Sequence, residues 1–223
     1  MPESNSHIIS GGFTGRIYSI DNTLPEKFLA DLPNVNYEQT ILAGWEYYSF
    51  TSNIPLNGND ERHYYNENYD GSPFLNELLC CRAIGHLLIF ARGKRAYNYF
   101  LEHILNKDAI VLELKNCFIS VDSFVKIGAK EKDYNLTSIS AFYRGIGDSL
   151  KSVRFFGEDV ANSDLFKNSI DELKIYRCGV KELSQVDEMI SIGTDGSLYF
   201  KYEYQNLQKI NNLFKFLKKG LLK

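Results

Sequence analysis

The residues best placed for chemistry are Glu113 and Lys115, which end the apolar run Ala109-Ile110-Val111-Leu112. On a strand, positions i and i+2 point to the same face, so this carboxylate and ammonium would stand side by side. A carboxylate there can hold Mg²⁺ while the lysine steadies an attacking water, the arrangement of metal-assisted hydrolysis. A second polar concentration is the stretch 53–72, which reads as a long polar loop, with Asp60, Glu61, His63, Glu67 and Asp70. Its spacing is not that of a calcium loop, and no Cys or His spacing suits zinc. No metal site and no cofactor is expected. Tyr64, Tyr65 and Tyr69 lie in the same stretch, and tyrosine pairs apolar area with a polar tip, as contact surfaces do. With Asp60 and Glu61 they are the expected partner-binding residues.

Nucleophilic catalysis lacks its parts. His7, His63, His86 and His103 are far apart, no serine sits in a Gly-x-Ser-x-Gly turn, and no cysteine has a histidine partner by spacing. The four cysteines, Cys80, Cys81, Cys117 and Cys178, sit mostly in apolar runs, where a thiol behaves as a small hydrophobe. They read as reduced thiols of a cytoplasmic protein.

Ala109–Lys115 resembles the metal-binding core of the PD-(D/E)xK nucleases. That resemblance implies Mg²⁺-dependent cleavage of nucleic acid by Glu113 and Lys115, together with an acid from a preceding strand. Asp108 is too close in sequence to come from another strand, and Asp70 is not preceded by proline. A strand with Glu and Lys on its solvent face accounts for the same residues. Tyr143-Arg144-Gly145 resembles the arginine motif of the ADP-ribosyltransferases, yet Ser49-Phe50-Thr51-Ser52 precedes it where that family needs its serine strand to follow. Gly145 and Gly147 lack the third glycine of a dinucleotide loop. A hairpin connection explains Tyr143–Ser149 without a ligand. No family is recognised over any substantial length.

These residues must be carried by elements. Residues 1–14 read as a flexible start with Gly11-Gly12 as a hinge, and 15–223 as a single domain with a possible sub-boundary near 107. Arg16–Ile20 is a strand, Leu24–Leu32 a helix ended by Pro33, and Gln39–Phe50 strand-like. Ser72-Pro73 looks like a helix start, followed by a buried helix to about Gly85. His86–Ala91 continues that helix or forms a strand. Arg95–Leu105 is a helix. Ala109–Leu114, Cys117–Ile127, Leu136–Tyr143, Lys151–Phe156 and Leu173–Cys178 are strands. Thr194-Asp195-Gly196 joins two more, because Asp-Gly supplies the positive φ of a tight turn. The spacing of Leu207, Ile210, Phe214, Leu217 and Leu221 predicts an amphipathic C-terminal helix. The fold class expected is therefore α+β, with helices mainly in the N-terminal half and a mostly antiparallel sheet in the C-terminal half.

Composition limits the function classes. The 223 residues carry a net charge of −3, which argues against a generally basic nucleic-acid binder. Residues 205–223 nevertheless hold five lysines and no acid, so Lys209, Lys215, Lys218 and Lys219 form a candidate nucleic-acid-binding group. No apolar run reaches the length of a membrane span. Residues with AT-rich codons (Phe, Tyr, Ile, Asn, Lys) far outnumber Gly, Ala, Arg and Pro, as in a low-GC bacterium or a phage, a background compatible with phage–host conflict. The expectation is a non-catalytic interaction or accessory protein that works through protein–protein contacts, as an oligomer or a subunit of a larger assembly. The alternative is the Mg²⁺-dependent nucleic-acid enzyme above.

Overall fold

A computed structural model describes residues 11–20, 27–42, 44–65, 69–83, 86–105, 114–122, 125, 134–144, 152–182 and 190–202. Its strands are β1 (Gly11–Ile20), β2 (Val35–Leu42), β3 (Trp45–Ser52), β4 (Phe74–Ala83), β5 (His86–Arg92), β6 (Leu114–Asn116), β7 (Tyr134–Tyr143), β8 (Ser152–Phe156), β9 (Leu173–Glu182), β10 (Ile190–Gly193) and β11 (Ser197–Tyr202). Three short helices join them: α1 (Gly58–Tyr64), α2 (Lys94–Tyr99), which runs on as a π turn through Phe100–Ile104, and α3 (Asp164–Ser169). A 3-10 turn spans Phe28–Asp31. No helix among the described residues is long and apolar enough to cross a membrane.

The strands form one sheet in the order β2-β3-β4-β5-β1-β11-β10-β9-β7-β8, with β6 also pairing β1. Every pairing is antiparallel. Side chains alternate between faces, and on β4 and β5 both faces are buried. Leu79, Cys81, Leu88 and Phe90 enter one core. Leu78, Cys80, Leu87 and Ile89 enter the other. The adjacent cysteines thus point to opposite faces as free thiols.

The first core lies inside a strong curl. Trp45 on β3 and Phe200 on β11 are separated by four strand spacings, about 19 Å in a flat sheet. Their ring centroids are 6.2 Å apart. Between them Phe90 stacks on Trp45 at 6.0 Å and meets Phe200 edge-on at 4.9 Å, while Phe13 stacks on Phe200 at 5.8 Å. Gly15 permits this, because a Cβ there would stand 2.3 Å from the Phe90 ring. The core continues along β9, β7 and β8, where Phe166 of α3 packs edge-on against Phe155. The second core lies on the outer face of β1–β5, under Phe28, Leu29, Tyr97, Phe100 and Ile104. There the hydroxyls of Tyr18 and Tyr97 share a buried 2.8 Å hydrogen bond.

Four expectations need correction. The N-terminal half is not mainly helical: five of the strands lie before residue 107, and the sheet runs through both halves of the chain. The segment expected as a helix from Pro73 to Gly85 is β4. Burial on both faces makes nearly every position apolar, which erases the alternation that marks a strand, and pairing with β3 and β5 outweighs the helical propensity of Leu, Glu and Ala. Gly11-Gly12 is no hinge; both lie in β1, paired with Tyr202 and Lys201. Of the expected strand Cys117–Ile127, residues 117–120 form an irregular crossing in which the Ile119 amide donates to Thr194 O, and Val121 and Asp122 are helical. The expected C-terminal amphipathic helix lies outside the described residues.

The hairpin turn at Thr194-Asp195-Gly196 is present, with Gly196 at φ 78°. Burial acts against the Asp195 carboxylate, yet hydrogen bonds from Ser197 and the charges of Arg16 and Arg177 hold its pKa below the ordinary 3.8. The Arg16–Asp195 ion pair, at 3.1 Å, ties β1 to this turn. A carboxyl lowered on folding contributes stability that is present above its unfolded pKa and lost as pH falls through the folded value. Thermal melts of Asp195→Asn should therefore lose less stability than the wild type as pH drops below 3.8, with the two curves parallel above pH ~5.

Candidate partner-binding site

The stretch expected as a long polar loop holds α1. Asn57 starts it: its side-chain oxygen accepts from the amides of Asn59 and Asp60 at 3.0 and 2.9 Å, and its Nδ2 donates to Asp60 at 2.7 Å. That satisfies amides a helix start leaves without partners. After α1, Tyr64 packs against Tyr65, Tyr69 and Phe74 with centroids 5.3, 5.2 and 6.0 Å away. Tyr69 stacks on Phe74 at 5.4 Å, and Asp70 closes the next turn by accepting from the Ser72 amide at 2.9 Å. Below them the buried Asn76 side chain donates to Ser52 Oγ at 3.0 Å and to Phe74 O at 3.1 Å. The loop is thus pinned to the sheet.

Between α1 and the open end of the inner face lies a cleft of about 510 Å³. Tyr47, Leu75, Glu77 and Arg92 line its sheet side, and Asn57, Asp60 and Arg62 line its helix side. Arg92 pairs with Glu77 at 3.1 Å. Glu61 forms an ion pair with Arg95 of α2 beside the cleft. Burial, followed by the charges of Glu77 and Glu38, pushes the Tyr47 phenol up to about 12. It is a neutral hydrogen-bonding group at physiological pH. The walls offer both signs of charge, a phenol hydroxyl and apolar area.

The structure thus brings Asp60, Glu61, Tyr64, Tyr65 and Tyr69 together around one helix. Tyr65 is the most open of them at 80% exposed, and Leu75, 66% exposed, lies in the cleft lining. Sequence reading missed Tyr47, Leu75, Glu77 and Arg92, because only a strand at 74–83 puts Leu75 and Glu77 on one face. Two polar residues, Asn76 and Glu77, inside a run read as apolar all round were the available signal.

The other expected residues are elsewhere. Lys115 is exposed on β6, opposite Ser19 of β1, whereas Glu113 lies outside the described residues. Gly145–Ser149 and Lys209, Lys215, Lys218 and Lys219 also lie outside them. Among the described residues no group of three or more His, Cys, Asp or Glu is arranged to hold a metal ion. No family model matches the chain, and no curated protein is significantly similar to it.

The electrostatics of the cleft can be read directly. Glu77→Gln should lower the Tyr47 pKa from about 12, and Arg92→Ala should raise it. Titration of ¹³Cζ-labelled tyrosines by NMR, with Tyr47→Phe to assign the signal, checks both directions.

Proposed function

We propose that this protein is a non-catalytic binding or accessory protein that engages a protein partner, or a second copy of itself, through α1 and the adjoining cleft. One observation carries the reading: Leu75, largely exposed, lines a mixed-charge cleft whose walls are held by the sheet and by the Asn76 hydrogen bonds, and Tyr65, also largely exposed, follows the α1 that forms the cleft's other side. Aromatic anchors beside satisfied polar groups are the composition of binding hot spots. Because the walls are already fixed by Asn57 and Asn76, association orders few new groups, and that favours affinity.

The test is native mass spectrometry and size-exclusion chromatography of the full chain from its own host, beside Tyr65→Ser, Leu75→Ser and the double variant. Both side chains are exposed, so melting temperatures should stay within about 0.5 kcal/mol equivalent of the wild type. Each single variant should weaken the complex about tenfold or more. A complex that survives the double variant intact would place recognition elsewhere and overturn the reading.

A further inference from the structure

A second surface stands apart from that cleft, on the outer face of β7–β11. The register sets Phe156, Ser138, Gly179, Ser191 and Tyr199 in one row across five strands. The row is a lane of small residues about 19 Å long, with an aromatic ring at each end. Phe156 is 79% exposed and Tyr199 41%. In the next row Arg154 and Arg177 flank Ser140, and one row further Lys174 lies opposite Phe142. The Arg154 guanidinium sits 5.7 Å from the Phe156 ring. Arg177 is steadied by the hydroxyls of Ser191 and Ser197 at 2.9 and 2.7 Å.

The described helices lie elsewhere: α2 covers the outer face of β1 and β5, and α3 turns Phe166 into the inner core. Among the described residues two carboxylates border the cations: Asp195 pairs with Arg16 and is linked to Arg177 through the Ser197 hydroxyl, and Asp122 accepts from the Ile175 amide beside Lys174 and pairs with Arg144. The face is basic and aromatic on a protein of net negative charge. The geometry points to a platform for single-stranded nucleic acid, with bases stacked on Phe156 and Tyr199 and phosphates paired with Arg154, Arg177 and Lys174. Cations alone would suit any polyanion. Exposed rings at both ends of a lane of small residues select one that carries planar bases, and a duplex keeps its bases stacked on each other. The lane matches about four nucleotides, the small end of single-sheet sites.

The experiment is fluorescence anisotropy of the full chain with a labelled oligothymidine of about 15 nucleotides, a duplex of equal length and a polyglutamate peptide. The expected result is tightest binding to the oligothymidine, with log K falling against log salt at a slope of about −2 for three phosphate contacts. Phe156→Ala and Arg154→Glu alter exposed side chains and should keep the melting temperature while weakening binding about tenfold or more. The same loss should follow when Phe156→Ala is added to a variant with Lys209, Lys215, Lys218 and Lys219 replaced by alanine. Tyr65→Ser and Leu75→Ser should leave this binding unchanged, which separates it from the partner site. Absence of binding, equal affinity for duplex or polyglutamate, or indifference to Phe156→Ala would overturn the proposal.

Discussion

Contact between Trp45 and Phe200 is the constraint on which the rest of the structure depends. A ten-strand path whose first and last strands, β2 and β8, pair with β3 and β7 and not with each other has no reason in its described hydrogen bonds to close on itself. Packing supplies the reason. Four large rings from β3, β5, β1 and β11 leave water together only if the sheet bends sharply between them. Each ring removes some 150–250 Å² from solvent, and the antiparallel ladders from β3 to β11 accept the bend through twist, with their register unbroken.

That curl divides the surfaces. Toward β11 the inner face is filled with rings; at the far ends of β3, β4 and β5 it runs out into Tyr47, Glu77 and Arg92, where α1 closes one side and leaves the cleft. The outer face is divided in the same way. Over β1–β5 it is sealed by aromatic residues from α2 and the 3-10 turn, and Tyr18 with Tyr97 is paired there out of water. Beyond β11 it presents serines, glycines, cations and open rings. One sheet therefore carries a mixed-charge cleft at one end and a basic aromatic face at the other, each on a rigid frame.

The sequence made some of this legible and hid the rest for a physical reason. The Asp195-Gly196 turn, the pair of strands it joins, β7, β8 and the helix beginning near Lys94 could all be read, since each has a local signature: a turn dipeptide, an alternation or a stripe. β4 could not. Its neighbours bury both of its faces, so Leu78, Leu79, Cys80 and Cys81 carry no period, and the propensity of the run points to helix. Losing β4 also lost the cleft, because Leu75 and Glu77 become neighbours on one face only in a strand. The tyrosines and acids of 60–69 stood out by composition alone, whereas the α1 that carries Asp60, Glu61 and Tyr64 is seven residues long and depends on the Asn57 cap. The outer face of β7–β11 was hidden differently: its row from Phe156 to Tyr199 exists only once the register of five strands is known.

The most direct measurement is a double-mutant cycle between Trp45→Leu and Phe200→Leu, read by denaturant unfolding. In a curled sheet the two rings touch, and the account predicts a coupling of about 0.5–1.5 kcal/mol. Additive losses within about 0.3 kcal/mol would mean that the rings act independently. β3 and β11 would then lie apart as in an open sheet, contradicting the curl and both surfaces derived from it.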